Sequence, residues 1–279
     1  MYNKGWLIHT EEGLHMIEIV VLLLVGVLSS LCGAVVGLGG GFIIVPFLAF
    51  AYDMPVSEIV GTSLAVLVFG SLSSTIAYVK QRRIDMKSGT LFAVAMIPGS
   101  VLGAFTANIV SNRGFFVALG VFLLCMALFL LKKPQKSQNS LLKPTVTRAF
   151  SDASGTTHTY SFNLKAGVSI ALVVGFISSF FGIGGGSVMV PTMVMLLSFP
   201  AHIAAATSSL SILISATSGS IAHLALGHID FMKLLWLAAG SLIGSQLGAR
   251  IASKLPGGVI LRFLSIALIF VAIRLMFKS

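Results

Sequence analysis

Chemistry in this chain has to come from backbone donors and hydroxyls, because its apolar runs carry little else. Gly37-Leu38-Gly39-Gly40-Gly41 is followed by Pro46, and Gly182-Ile183-Gly184-Gly185-Gly186 by Pro191, at the same spacing. Both clusters interrupt hydrophobic stretches, where water cannot satisfy the backbone groups that a helix break frees. A helix starting directly after such glycines points free N–H groups and the positive end of its dipole into the apolar layer, which suits an anion. Glycine also lets a ligand approach backbone that a Cβ would obstruct. Gly39, Gly40, Gly41, Gly184, Gly185 and Gly186 are therefore the predicted substrate donors, with Gly37, Gly182, Pro46 and Pro191 shaping the breaks. Thr62-Ser63 and Thr207-Ser208 add hydroxyls that can donate to an oxyanion without a charge being buried. Their other use is capping or back-bonding to helix carbonyls.

Enzyme motifs are missing. The first glycine cluster lacks the Gly-Lys-Ser/Thr of a phosphate-binding loop, and neither the glycine spacing nor a following acidic residue makes a dinucleotide fingerprint. His223 and His228 are five apart, a spacing that does not favour one helix face for a metal. Cys32 and Cys125 lie in apolar runs as small packing residues. The chain is read as a non-enzyme with no cofactor and no metal. Asp85 and Asp230 stand at loop edges, where they are predicted to cap helices. No carboxylate is placed for a proton relay, so the coupling ion is not visible.

The elements that must position these residues are transmembrane. Of 279 residues, 56% are hydrophobic and only 9% charged, against about a quarter charged in soluble domains. The apolar residues gather into runs near the roughly 20 residues that cross a bilayer. Five segments, 16–36, 42–52, 57–79, 88–107 and 114–131, precede a polar stretch, and five more follow, 165–181, 187–199, 202–225, 231–252 and 258–277. The second of each five is too short to cross alone and reads as a half-helix, re-entrant or paired with its neighbour across the glycine turn. The predicted organisation is a first membrane repeat over 16–131, a linker over 132–164 and a second repeat over 165–277. Within the linker, Thr145–Phe150 and Thr156–Phe162 have the β-branched and aromatic pattern of a small hairpin. The first apolar run has acidic flanks, Glu11, Glu12 and Glu18, and reads as a retained segment rather than a signal peptide.

Sliding one half along the other by 145 positions aligns Gly37 to Ala104 without a gap. The match pairs the glycine clusters, Pro46 with Pro191, Thr62-Ser63 with Thr207-Ser208, Ile84-Asp85 with Ile229-Asp230, and Gly99 and Gly103 with Gly244 and Gly248. Glycines of the last kind are predicted to let helices approach closely. The cations do not repeat. Lys80, Arg82, Arg83 and Lys87 crowd one loop, while its mate over 226–232 has none of them. By the positive-inside rule the first loop and the linker are cytoplasmic and the second loop is not, so the two repeats are inverted and both termini external. Arg274 and Lys278 weigh against an external C-terminus. The net charge of +10 sits in these loops without interleaved aromatics, so the partner it implies is the lipid surface and not nucleic acid.

With those residues in view, the chain resembles the TauE/SafE family of sulfite and sulfonate exporters. The likeness rests on both glycine-proline elements, the Thr-Ser pairs, Gly227-His228-Ile229-Asp230-Phe231, the late segment Gly244 to Lys254 with Leu255-Pro256, and the linker's Phe150-Ser151-Asp152-Ala153-Ser154-Gly155. It implies an inner-membrane permease that moves small sulfur-containing anions outward. The expected function is a secondary transporter of sulfite or an organosulfonate, working by alternating access of inverted halves. A passive anion channel and a non-transporting membrane scaffold are the rival expectations, and a homo-oligomer stays open. The expected fold class is all-α, polytopic, with two inverted five-segment repeats.

Overall fold

The computed structural model describes residues 4–107, 109–131, 143–151, 153, 155, 157–252 and 269–277. Among these residues the regular structure is helical apart from one two-stranded sheet. In chain order the elements are α1 (Lys4–Val36), α2 (Gly41–Ala51), α3 (Val56–Lys80), α4 (Met86–Ala107), α5 (Asn112–Leu131), β1 (Val146–Ser151), β2 (Thr157–Phe162), α6 (Leu164–Phe181), α7 (Gly186–Met195), α8 (Ala201–Ala225) and α9 (Phe231–Ile251). Residues 269–276 are again helical. The predicted linker residues 132–142 and most of the last predicted segment lie outside the described residues.

Among the described residues, six helices are long and apolar enough to cross a membrane: His15–Val36 within α1, then α3, α4, α6, α8 and α9. α2 and α7 are not. At 11 and 10 residues they span about 16 Å, half a bilayer core. Their boundaries follow from the sequence. Each begins where a glycine pair leaves the left-handed region, Gly37 and Gly39 at φ 77° and 76°, Gly182 and Gly184 at φ 69° and 80°. A residue with a Cβ is strained at such angles.

α3 and α8 form the central pair and are the most buried of the six spans. α1 lies along α9 and α4 along α6, and glycines make both approaches close. A Cβ on Gly244 or Gly248 would strike the carbonyls of Val27 or Leu31 on α1. One on Gly99 or Gly103 would strike those of Leu172 or Phe176 on α6. Lipid offers no hydrophobic drive between helices, so such backbone contact is a main source of association.

β1 and β2 pair antiparallel, Val146 opposite Phe162 and Ser151 opposite Thr157. The hairpin docks by its aromatic face: the Phe162 ring lies 6.0 Å from Phe92 on α4 and 5.0 Å from Phe199 before α8, and Tyr160 lies 4.3 Å from Phe199.

Candidate functional site

The two glycine breaks meet inside the bundle. A Cβ on Gly41 would fall 2.5 Å from the Gly182 carbonyl oxygen and 2.6 Å from the Ile183 Cα, and one on Gly186 would strike the Gly37 carbonyl. α2 and α7 thus begin against each other's turn. Neither start is capped by a side chain. The carbonyls of Gly40 and Gly185 accept the first intrahelical bonds, from Ile43 and Val188. Among the described residues the N–H groups of Gly40, Gly41, Gly185 and Gly186 have no hydrogen-bond partner. These are the orphan donors of a helix start, here in the interior of an apolar bundle.

The Thr-Ser pairs knit the breaks to the helix ends through exchanged contacts. Ser63 Oγ on α3 donates to the Gly182 carbonyl at 2.7 Å, and Ser208 Oγ on α8 donates to the Gly37 carbonyl at 2.9 Å. Thr62 Oγ1 accepts from the Asp230 N–H and Thr207 Oγ1 from the Asp85 N–H, both at 3.0 Å. Each contact repeats with the same positions of the other half, so the halves bind one another reciprocally, as across a two-fold axis. In this arrangement the four hydroxyls serve backbone groups and hold the turns in place.

Beside the first break lies a small cavity of about 10 Å³, the space of a single water. Its polar lining comes from Ser30, Ser71, Ser74, Ser209 and Ser245 together with Gly39, Gly40 and Gly70. Ser71, Ser74 and Ser209 donate to carbonyls of their own helices. Ser30 and Ser245 have no partner among the described residues. The space beside Gly185 is filled instead: the Met96 methyl occupies the place a Gly185 Cβ would take. Sequence reasoning missed this serine set, because single serines scattered over α1, α3, α8 and α9 show no spacing that predicts convergence.

Both aspartates cap helices. Asp85 Oδ1 accepts from the Ser88 N–H and Asp230 Oδ1 from the Lys233 N–H, each at 3.0 Å. Their second oxygens differ. Asp85 Oδ2 accepts from Tyr160 at 2.7 Å, with Arg148 Nε at 3.7 Å, so the hairpin grips the α3–α4 turn. Asp230 Oδ2 binds the Lys233 ammonium, which also lies 4.6 Å from the Tyr52 ring centre. Burial works against the Asp230 carboxylate, but hydrogen bonds from the Lys233 side chain and backbone outweigh it and hold the pKa below the ordinary value. Burial is also the main reason the Tyr160 phenol is raised, its hydrogen bond to Asp85 adding to the effect.

His223 and His228 are brought together after all. α8 ends at Ala225, Gly227 turns the chain at φ 74°, and the two Nδ1 atoms lie 3.2 Å apart. The partner sits on a turn and not on the helix, which is why a face-by-face reading of the spacing overlooked it. Among the described residues no group of three metal-binding side chains forms.

Residues 22–275 match the profile of the family described as Sulfite exporter TauE/SafE. The chain is 37% identical over 267 residues to "Probable membrane transporter protein YunE" of Bacillus subtilis (strain 168), covering 93% of this chain and 98% of that one. It is 26% identical to YdhB of the same organism, covering 86% and 91%, and 26% identical to MJ0441 of Methanocaldococcus jannaschii, covering 84% and 86%; both carry the same description. No solved structure matches the chain.

Proposed function

Because the chain belongs to the sulfite exporter TauE/SafE family, we propose that it is a secondary transporter of a small sulfur-containing oxyanion, sulfite or an organosulfonate. Its two halves, 16–131 and 165–277, are inverted repeats in the inner membrane, with the 132–164 linker cytoplasmic and the termini external. They alternate access to one central site between the glycine breaks. The observation that carries this reading is the meeting of two half-helix N-termini with unpartnered N–H groups inside an apolar bundle. Backbone donors at helix starts bind anions without a buried cation. The free Ser30 and Ser245 hydroxyls beside Gly40 add donors for an oxyanion.

Leu67 and Ile212 stand between the breaks: Leu67 lies 3.2 Å from a Gly39 Cβ and 3.1 Å from a Gly184 Cβ, and Ile212 lies 3.7 Å from the former. They hold the same position in the two repeats, so rocking one half against the other would widen the space on alternating sides. The reciprocal Ser63–Gly182 and Ser208–Gly37 bonds make each turn move with the opposite half.

Proteoliposomes loaded with labelled sulfite test the reading. Saturable release with counterflow is expected, lost in Gly40→Leu while the protein still inserts. Non-saturating flux without counterflow would assign a channel, and neither flux nor binding over sulfite, thiosulfate and sulfonates would assign a scaffold. Single cysteines at Gln81 and Gly227 should label from opposite faces of the membrane; labelling from one face would replace the inverted repeat with a parallel one.

A further inference from the structure

The second half departs from the first at one buried cluster. His223 on α8 is fully buried and takes the position that Tyr78 has on α3. Tyr78 donates its hydroxyl to the Ala34 carbonyl at 2.6 Å, a neutral bond that completes the polar atom. In the second half the equivalent carbonyl, that of Ser179, faces the His223 ring, yet Nε2 has no partner at hydrogen-bonding geometry. The hydroxyls of Ser179 and Ser220 are also buried and unpartnered; Ser179 stands where the first half has Ala34, and Ser220 where it has Thr75, whose hydroxyl is unpartnered too. Leaving a buried polar atom unsatisfied is costly, so His223 Nε2 and the Ser179 and Ser220 hydroxyls mark this corner as polar. Nδ1 of His223 is already committed to Nδ1 of His228, which leaves Nε2 as the open atom.

We propose that the His223–His228 pair is a proton-binding site that couples anion movement to the proton gradient, the inference resting on the transport reading above. In a Nδ1–Nδ1 hydrogen bond one neutral ring donates and the other accepts. When His223 donates, its Nε2 is a bare acceptor beside the Ser179 carbonyl, which can accept from that nitrogen once it is protonated. A proton arriving from water binds there, and the pair becomes a singly charged imidazole–imidazolium unit with no covalent bond made or broken. A charge buried without a paired carboxylate is costly, so the unprotonated pair belongs to the closed arrangement and uptake to a state open at this end.

His228 faces His223 from the turn, Glu58 faces His228 from α3, and α6 presents the Ser179 carbonyl. His228 lies outside the spans and is held below the ordinary imidazole value by desolvation, with Glu58 opposing. The Gly61 face of α3 packs on the His228 carbonyl, and the next residue, Thr62, binds the Asp230 N–H of the same turn. The turn that carries His228 is thereby tied to Thr62, the residue before Ser63, whose hydroxyl holds the Gly182 carbonyl of the second glycine break.

The test uses the full chain in proteoliposomes and in detergent. With sulfite as probe, a one-unit pH gradient should support about a tenfold anion gradient at one proton per anion. His223→Tyr restores the first half's residue at that position; it should abolish this accumulation while sulfite–sulfite exchange continues. The anion's own titration cancels in the comparison of wild type with variant. His228→Gln should weaken the pH response without removing the buried ring. Independently of any substrate, nitrogen NMR of labelled histidines should show His223 and His228 titrating together, with the His223 curve displaced in His228→Gln. A His223→Tyr protein that accumulates sulfite like wild type, or a His223 that exchanges no proton with water across the pH range, overturns the proposal. No sulfite flux in wild type sinks the transport reading instead and leaves the proton site to the NMR result.

Discussion

Beside Gly40 the bundle keeps a water-sized space between Ser30 and Ser245, whereas beside Gly185 the matching space holds the Met96 methyl. The backbones of the two breaks are alike, with glycines of the same left-handed angles and helices starting at equivalent residues. What differs is the neighbour. Met96 corresponds to Ser241 of α9, and Gly175, near Met96, corresponds to Ser30. The space beside Gly40 is thus lined by hydroxyls, while Met96 and Val174 stand beside Gly185. Repetition supplied two donor sets, and side-chain divergence left polar room beside only one. The second half has unpartnered buried polar atoms elsewhere, at His223, Ser179 and Ser220.

The largest effect expected from disturbing this comparison is at the contact the breaks share. Gly41→Leu and Gly186→Leu put side chains onto opposing backbone, where nothing flexible can give way. Both should abolish folded, monodisperse protein in size-exclusion chromatography, and equal loss from the two would mark the contact as symmetric. Next comes a swap of the plug. Ser241→Met should fill the first cavity, costing about 1–3 kcal/mol by overpacking, and it should cut sulfite flux by at least about tenfold, equivalent to 1.4 kcal/mol. Met96→Ser should leave flux within about threefold and lower stability by about 2–5 kcal/mol through the cavity it opens. Equal flux losses in the two variants would erase the asymmetry between the breaks.

Smaller effects separate the two aspartate turns. Asp230→Ala should cost about 1 kcal/mol as a lost helix cap. Asp85→Ala should cost more, about 2–4 kcal/mol, since Tyr160 and Arg148 lose their shared buried acceptor. Thermal unfolding in detergent reads both. The smallest effect is a pH response. The folded pKa of Asp230 lies below its unfolded value. Its stabilisation is present in full above the ordinary carboxylate range near about 4 and fades as pH falls through the depressed folded value. Lys233→Met should flatten that acid limb of the stability curve; an unchanged limb would remove Lys233 as its source.

Much of the fold was legible because its signals are local. Glycine clusters in apolar runs mark the ends of α1 and α6 and the starts of α2 and α7, and among the described residues helix boundaries fall within a few residues of the predicted segments, except that α1 begins at Lys4 and not at 16. The hairpin was readable from β-branched and aromatic residues on either side of a turn. The caps at Asp85 and Asp230 were readable from their place at loop edges. The Thr-Ser pairs were found by repetition, but their bonds to the opposite half's turn were not, since nothing local links Ser63 to Gly182 or Ser208 to Gly37.

By itself, then, the sequence determined a helical, membrane-spanning chain with two glycine-broken halves, because hydropathy and backbone freedom are properties of short stretches. Tertiary structure alone decided that the breaks face each other, that five serines from four helices converge beside one of them, and that Met96 fills the space beside the other. It also decided that His228 returns to His223 around Gly227. Those outcomes depend on which helix faces pack together, and helix packing sums many weak contacts between residues far apart in the chain.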